Sequence, residues 1–391
     1  MYAVTCSLKK KNKERSIPMK KTTAIAAVCL ACLTAAGCSR STQAPLSTQP
    51  AQTVSETDAL VTEDTTIRFT DQAGNEIELD RPPQRVIISS IFPIPSVFAL
   101  FRGSGAEIVG MNPSAMEAAE NSYLAEVYPE ILDADTSFVQ GGEINIESVA
   151  ALSPDLVIYS AQNPEEKALY DSLGIPSAAF SPAGQGFDCV ETYISWNELL
   201  GDIYGENAAA DEIATKARAA AKKVTNITDT IPEEEKPTAV ILFNCANGSI
   251  KAAGTGSFGD YWITAAGGIN AAAEVKGHAD VSIEQLYTWD PDILLLSNFV
   301  PASPEQVMKG ENDTDLTGLR AVQEGKVYKY PTGFYRWYPA SSDAPLSLEW
   351  TALHIQPGYF ADLDFPSDIK DWYMNVYGLT LSDEEVQALT E

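Results

Sequence analysis

The sequence contains one segment twice, as IESVAALSPDLVI at residues 146–158 and as IEQLYTWDPDILL at residues 283–295. The opening isoleucine and glutamate and the Pro-Asp pair are identical in the two copies, and several other positions stay apolar. Each copy predicts a short helix, a Pro-Asp turn and a buried strand. A repeat with this wide spacing indicates two lobes of like design rather than a stack of small repeats.

The N-terminal residues 1–37 have the pattern of a secretory signal peptide. A basic stretch opens at Met19, itself a candidate for the true start, and a short apolar run and small residues follow it. The sequence Ala-Ala-Gly before Cys38 resembles the lipobox of bacterial lipoproteins, in which the cysteine thiol takes the lipid. The alternative is a plain signal peptide with an incidental cysteine. Residues 38–63 are rich in Ser, Thr, Gln and Pro, which predicts a disordered tether after a lipidated Cys38.

The charge and the composition exclude several classes of protein. The chain carries 26 Lys and Arg against 54 Asp and Glu, for a net charge of −28. This charge argues against binding to nucleic acid and against docking on anionic lipid. The chain has only 2 histidines, and Cys189 and Cys245 are its only cysteines after Cys38, so a histidine-rich metal site and a disulfide framework are excluded. Whether these two cysteines pair stays open.

Strand and helix patterns alternate through most of the remaining sequence, which predicts α/β lobes with largely parallel sheets. We place an N-terminal lobe at residues 64–190, linking helices at 191–230 and a C-terminal lobe at 231–391. The stretch after Gly205 is rich in Ala, Glu, Lys and Arg and has no helix breaker for over twenty residues. It therefore predicts a long helix that joins the lobes.

Several motifs support a family resemblance: Asp71-x-x-Gly74, Pro82-Pro83-x-Arg85-Val86, Ala266-Gly267-Gly268-x-Asn270 and both repeated units. Together with the leader and the long helix, they resemble the solute-binding lipoproteins of ABC importers for iron complexes, haem and vitamin B12. The resemblance covers nearly all of residues 64–391. It implies two Rossmann-like lobes joined by a single long α-helix, with the ligand cleft between the lobes. It also implies a monomer, lipid-anchored outside the cytoplasmic membrane on the extracellular face or in the periplasm, that serves an ABC permease and its ATPase.

The resemblance implies a small-molecule metal chelate as the ligand. We expect a ferric siderophore-type chelate, with haem or cobalamin or another corrinoid as alternatives on the same scaffold, and no intrinsic cofactor. The sequence has no Gly-x-Ser-x-Gly elbow, no phosphate-binding loop and no His/Cys cluster for zinc. We therefore do not expect an enzyme, and the rival hypothesis is a chelatase or other surface enzyme on a similar scaffold.

The segment GFYRWYP at residues 333–339 follows a predicted strand, and strand ends in such sheets open on the ligand crevice. Aromatic rings suit a flat or greasy chelate, and an arginine suits its negative groups. The alternative is that alternate side chains of this segment point into the core. The predicted ligand contacts are Phe334, Tyr335, Arg336 and Trp337, with Tyr261 and Trp262 from a helix of the same lobe and Ser90 and Phe92 from the N-terminal lobe.

Glu147 and Glu284 hold the same place in the two repeated units. The resemblance implies that each meets arginines of the membrane permease, and such exposed charges set orientation and on-rate. The alternative is that each carboxylate only favours the dipole at the start of its helix. His278 lies in a predicted polar loop, where a solvated imidazole is favoured over a haem-type iron ligand, and no other metal ligand is expected.

Overall fold

A computed structural model describes residues 66–312 and 314–390 of the chain. The predicted signal peptide, Cys38 and the tether to residue 63 lie outside the described residues. Within the described part, no helix combines the length and the apolar character needed to cross a bilayer.

The N-terminal lobe is built on a four-stranded sheet in the order β4-β3-β7-β8, and all of its strand pairs are parallel. Its central strands are buried on both faces, as the unbroken apolar runs in the sequence predict. The strands of this part of the chain are β1 (Ile67–Thr70), β2 (Glu76–Leu79), β3 (Val86–Ile88), β4 (Ile108–Met111), β5 (Val139–Gln140), β6 (Glu143–Ile144), β7 (Leu156–Ser160) and β8 (Ser177–Phe180). Its helices are α1 (Ile94–Arg102), α2 (Pro113–Glu120), α3 (Leu124–Val127), α4 (Ile146–Ala151) and α5 (Glu165–Ser172), with a 3-10 turn at Pro129–Asp133.

Two helices link the lobes, α6 (Cys189–Tyr204) and α7 (Asn207–Thr228). Gly205 ends α6 in the left-handed region, at φ 68°, which a glycine adopts without strain. A side chain at Gly201 would come within 2.8 Å of Asn207 Oδ1, so this glycine permits the close approach of the two helices. The long helix predicted after Gly205 is α7, with 22 residues.

The C-terminal lobe contains a six-stranded sheet in the order β12-β10-β9-β13-β14, with β11 paired to β9. Its strands are β9 (Thr238–Ala246), β10 (Ser249–Ala253), β11 (Ile269–Asn270), β12 (His278–Val281), β13 (Ile293–Leu296) and β14 (Val327–Lys329). Its helices are α8 (Phe258–Ala265), α9 (Ile283–Trp289), α10 (Pro304–Met308), α11 (Arg320–Gln323), α12 (Ala344–Ile355), α13 (Phe365–Trp372) and α14 (Asp383–Thr390), with a 3-10 turn at Glu233–Glu235 and a π-helical turn at Tyr373–Tyr377.

The two antiparallel strands β10 and β12 at one edge of this sheet differ from the parallel pattern predicted from the sequence. The turn between β9 and β10 is Asn247-Gly248, and both residues have positive φ, at 54° and 74°. Asn-Gly between two strand-like runs is a strong hairpin signal. The sequence therefore carried the information for this edge.

The repeated segment folds in the same way in both lobes. Asn145 and Ser282 cap α4 and α9 by accepting a hydrogen bond from the third backbone N–H of the helix. The strands that follow, β7 and β13, pair in parallel with β3 and β9, the first strands in chain order of the two main sheets. The prediction of two α/β lobes is confirmed.

One apolar core continues through both lobes. It includes Val86 and Phe98 from the first lobe, Trp196 from α6, and Ile241 and Trp350 from the second lobe. Separating the lobes would expose this buried surface at a cost of roughly 25 cal/mol for each Å². The lobes are therefore held together by packing as well as by the covalent link.

Candidate functional site

A cavity of about 390 Å³ opens between the two lobes. Most of its wall follows the carboxyl ends of strands, where a ligand crevice is expected in an α/β sheet. Its lining residues from the first lobe and the linking region are Ser90, Ile91, Phe92, Pro93, Ser160, Gln162, Pro182, Phe187 and Trp196. Its lining residues from the second lobe are Phe243, Gly256, Ser257, Phe258, Gly277, His278, Phe299, Tyr335, Arg336, Tyr338 and Pro339.

A short loop between β3 and α1 forms part of the wall from the N-terminal lobe. Ser90 Oγ accepts a hydrogen bond of 2.9 Å from the backbone N–H of Ser160, which fixes the loop to the end of β7. Phe92 projects from this loop and is 40% exposed, more than the other aromatic residues of the loop and its flanks. Two of the eight predicted ligand contacts, Ser90 and Phe92, thus lie on the cavity wall.

The segment 333–339 forms part of the opposite wall, and its side chains divide between the cavity and the core. Tyr335, Arg336 and Tyr338 line the cavity. Phe334 is fully buried and stacks on Tyr377, with ring centroids 4.0 Å apart and planes 4° apart. Trp337 is also fully buried. Phe334 and Trp337 were predicted as ligand contacts, but the structure places both behind the wall, as the alternative interpretation of this segment described.

Arg336 carries the positive charge of the cavity. Its guanidinium carbon lies 4.9 Å from the centroid of the Phe299 ring, within the range of a cation–π contact. Among residues 66–312 and 314–390, no carboxylate forms a salt bridge with Arg336, and no other Lys or Arg lines the cavity. The guanidinium therefore has no carboxylate partner within the described residues, and a negative group on a ligand could pair with it.

Tyr335 connects the two walls. Its side chain is buried, and its hydroxyl donates a hydrogen bond of 2.9 Å to the backbone oxygen of Phe92 in the other lobe. Burial raises the pKa of Tyr335 above its ordinary value, so the phenol stays neutral. It can offer a ligand a ring edge, while its hydroxyl already has a partner.

His278 lies on β12 and lines the cavity, although the sequence placed it in a loop. Its ring stacks on Phe243, with centroids 4.0 Å apart, and its Nε2 lies 2.8 Å from the Tyr338 hydroxyl. The residue as a whole is exposed, and the burial concerns the ring atoms that pack on Phe243 and Tyr338. Burial of the ring, and secondarily the charge of Lys251, lowers the pKa of His278 to about 4, so the imidazole is neutral at pH 7. The described residues contain no group of three or more His, Cys, Asp and Glu side chains that could hold a metal ion.

Tyr261 and Trp262, predicted as contacts, lie on α8 behind the wall. The buried Trp262 donates from Nε1 to the backbone oxygen of Tyr338 at 2.7 Å, so it supports a residue that lines the cavity. Burial and, secondarily, the nearby Asp188 carboxylate raise the pKa of Tyr261. Asp188 caps α6, so Tyr261 connects α8 to the linking helices rather than to the cavity.

The sequence prediction missed several aromatic residues of the cavity, namely Phe187, Trp196, Phe243 and Phe299. Phe299 lies in the loop just beyond the end of β13 at Leu296, so the rule that strand ends face the crevice could have identified it. Phe187 precedes α6 and has a positive φ of 67°, which no sequence pattern indicated. It meets Phe258 of the other lobe edge to face, at 5.7 Å between centroids.

Glu147 and Glu284 lie on the first turns of α4 and α9, away from the cavity, and both are exposed. Hydrogen bonds at the start of α9, including one with Ser282, lower the pKa of Glu284. Both side chains are free to meet another protein. Their predicted contact with a permease stays a prediction.

Comparison with known proteins adds evidence for the family. A sequence model of the periplasmic binding protein family matches residues 98–332. The chain is 26% identical to the molybdate-binding protein MolA of Haemophilus influenzae over 253 residues, which cover 60% of this chain and 70% of that protein. It is 27% identical to the Fe(3+)-citrate-binding protein YfmC of Bacillus subtilis over 198 residues, 49% of this chain and 58% of that protein. The crystal structure of a periplasmic solute-binding protein from Veillonella parvula superposes with a TM-score of 0.72 at 30% identity, covering 83% of this chain and 96% of that one.

Proposed function

The chain belongs to the periplasmic binding protein family, and from this premise we propose that it captures an anionic ferric chelate in its cleft and delivers it to the permease of an ABC importer. Proteins of this family are solute-binding components of such importers and work outside the cytoplasm. The ligand and its delivery by this particular chain are the proposal.

The guanidinium of Arg336 carries the proposal. In a chain with a net charge of −28, this cation has no carboxylate partner among the described residues and faces an aromatic cavity. Leaving a partly buried charge unpaired is costly, so the empty site gains most from a ligand that carries negative charge. Carboxylate, catecholate and hydroxamate oxygens of a ferric chelate supply such charge.

The aromatic lining favours a chelate with an organic framework. Rings from both lobes face the cavity, including Phe92, Phe243, Phe258 and Phe299. Such rings bury the carbon skeleton of a ligand, while a few polar groups fix its orientation. The similarity to an iron-citrate-binding protein also supports an iron complex.

A second candidate is a tetrahedral oxyanion such as molybdate. The similarity to a molybdate-binding protein over 70% of its length favours it, as does the single guanidinium in a cavity of about 390 Å³. The aromatic rings would also suit haem or a corrinoid, but a cavity of about 390 Å³ with one guanidinium favours a more compact anion.

Binding and release of an unchanged ligand require no catalytic group, and the two curated relatives are named as binding proteins. We therefore propose that the chain is not an enzyme, needs no intrinsic cofactor and acts as a monomer. Lipidation at Cys38 would hold it at the outer side of the cytoplasmic membrane.

Tryptophan fluorescence tests the proposal, because Trp196 lines the cavity. The purified protein would be titrated with ferric citrate, ferric catecholate and hydroxamate siderophores, haemin, cobalamin and sodium molybdate. Iron-free citrate and iron-free siderophores serve as controls. Saturable quenching by one ferric chelate, absent with its iron-free form, would support the proposal. Saturation only with molybdate would select the second candidate, and no response to any anion would refute both.

A further inference from the structure

The cavity arginine is positioned by groups behind the wall. The N–H of Phe334 donates to the Tyr373 hydroxyl at 3.0 Å, and the N–H of Tyr335 donates to Asp343 Oδ2 at 2.9 Å. The oxygens of Gly333 and Phe334 accept hydrogen bonds of 3.1 Å from the first lobe. The backbone just before Arg336 is therefore fixed on both sides.

Asp343 is the charged group among these supports, and its position is unusual. It stands at the N-cap of α12, but its side chain makes no capping hydrogen bond to that helix. Its carboxylate instead accepts hydrogen bonds from the N–H of Tyr335 and, at 2.8 Å, from the hydroxyl of Tyr377. An N-cap aspartate usually accepts a hydrogen bond from a backbone N–H of its own helix. The carboxylate of Asp343 instead supports the segment that forms the wall of the cavity.

We propose that the fully buried carboxylate of Asp343 is a positioning residue, which holds Tyr335 and Arg336 in the geometry that binds the anionic ligand. The inference rests on the proposed function, since it assigns a determinant of affinity to the same cleft. An ionised carboxylate accepts both hydrogen bonds at full strength. A protonated carboxyl accepts hydrogen bonds more weakly, and its O–H group is a new donor that needs an acceptor of its own. The segment that carries Tyr335 and Arg336 then loosens, and the pre-organisation of the binding site is lost.

The surroundings of Asp343 make this charge sensitive to pH. Burial raises the pKa of Asp343 to about 7, against the hydrogen bonds from Tyr335 and Tyr377 that favour the ionised form. The titratable groups that face it are Tyr193 of α6, Tyr373 and Tyr377 of the π-helical turn, and Tyr335 of the segment. Burial raises the pKa of each of these tyrosines, so they stay neutral. Within residues 66–312 and 314–390, no cation contributes to the pKa shift of Asp343. The affinity for the anion should therefore fall as the pH drops through about 7.

The test compares Asp343→Asn with Glu349→Gln, a matched control. Glu349 is a buried carboxyl on the same helix with a raised pKa, but it faces Asp368 and Lys223 instead of the cavity wall. Dissociation constants for ferric citrate and sodium molybdate would be measured from pH 6 to 8.5. The ratio of the dissociation constants of variant and wild type at each pH removes the effect of protonation of the ligand itself.

For Asp343→Asn we expect weaker binding by about tenfold at pH 8.5, the size of one charge-assisted hydrogen bond. The ratio should shrink toward one at pH 6, where the wild type is itself protonated. Glu349→Gln should leave affinity unchanged at every pH. A ratio near one throughout, or a large ratio that does not depend on pH, would overturn the proposal.

Hydrogen exchange separates this proposal from the identity of the ligand. The peptide that contains the Tyr335 amide should exchange faster in Asp343→Asn than in wild type or Glu349→Gln, with no ligand present. If no probe binds the wild type, the proposed function fails, and the exchange rates still decide whether Asp343 holds the segment. Should Asp343→Asn not fold, Tyr377→Phe removes one of the two hydrogen bonds and keeps the stack on Phe334. Unchanged exchange in that variant would count against the proposal.

Discussion

The outer turns of the two lobes are built alike, whereas the two walls of the cleft are not. Asp155 accepts hydrogen bonds from the N–H groups of Gln84 and Arg85, which lead into β3. Asp292 accepts hydrogen bonds from the N–H and the hydroxyl of Thr238, the first residue of β9. In each lobe the aspartate of the Pro-Asp pair therefore anchors the strand beside its own.

At the cleft this equivalence ends. The N-terminal lobe contributes small polar groups, from Ser90, Ser160 and Gln162, and the rings of Phe92 and Phe187. The C-terminal lobe contributes the cation, the imidazole and most of the aromatic rings. The difference teaches that the repeated unit fixes the scaffold, while the chemistry of recognition is concentrated on one lobe.

The largest effect should come from the cation of the C-terminal wall. We expect Arg336→Gln to weaken binding of the anionic ligand about 100-fold, since a charge-assisted contact in a partly desolvated site is lost. Phe92→Ala, on the opposite wall, should cost less than about tenfold because it removes only part of the apolar contact. Calorimetric titration of both variants measures how much ligand affinity each wall contributes. Equal losses of affinity would contradict the view that recognition is concentrated on the C-terminal lobe.

The equivalence of the outer turns can be tested by stability. Asp155→Ala and Asp292→Ala should each lower the free energy of unfolding by about 1–3 kcal/mol, because each leaves strand N–H groups without their acceptor. Urea denaturation followed by circular dichroism gives the values. Asp80→Ala, at an exposed position after β2, is the control and should stay within about 0.5 kcal/mol of wild type. If only one of the two variants lost stability, the aspartate of the Pro-Asp pair would stabilise the fold in that lobe alone.

A smaller effect concerns pH and the C-terminal lobe alone. Burial and, secondarily, the charge of Asp368 raise the pKa of Glu349 from 4.5 to about 8. The folded protein thus holds this proton more tightly than the unfolded chain does. The stability from this group is full below about pH 4.5 and is lost as the pH rises to about 8.

Glu349→Gln retains a donor toward Asp368 and cannot ionise. We expect the variant to be more stable than wild type at pH 8.5 and to match it near pH 5. Thermal unfolding across this range checks the sign. A wild type that gains stability relative to the variant as the pH rises would contradict the pKa shift.

The smallest effect on the purified protein is expected at Glu147 and Glu284. Because both are exposed and lie away from the cavity, Glu147→Lys and Glu284→Lys should leave ligand affinity unchanged. Uptake of the ligand by cells should fall sharply in either variant if both carboxylates meet the permease. Glu117→Lys, at an exposed position on α2, controls for the change of net charge. Normal uptake in both variants would leave these residues as helix-terminal charges only.

Much of the architecture was predictable because its signals are local. Apolar runs such as Val86–Ile88 and Ile293–Leu296 indicated buried strands, and the long breaker-free stretch indicated α7. The sequence analysis does not predict the antiparallel edge of the second sheet, although Asn247-Gly248 indicates a hairpin there. The sequence analysis places His278 in a loop because it does not predict β12, the edge strand to which His278 belongs.

The site was predictable only in outline. Strand ends placed Ser90, Phe92, Tyr335 and Arg336 at the cleft, and the structure puts all four on the cavity wall. The same rule does not tell which side chains of an irregular segment turn inward. Phe334 and Trp337 pack into the core because Tyr377 and its neighbours offer them apolar partners from far along the chain.

The sequence by itself determined the excess of negative charge, which follows from composition alone. It also determined the order of strands and helices and the two equivalent turns, since these depend on neighbours within a few residues. Tertiary structure alone decided that Arg336 faces Phe299, that Tyr335 bonds to Phe92, and that Asp343 supports the wall. These contacts join residues from different elements. Their geometry follows from how two lobes share one close-packed core, which no local pattern specifies.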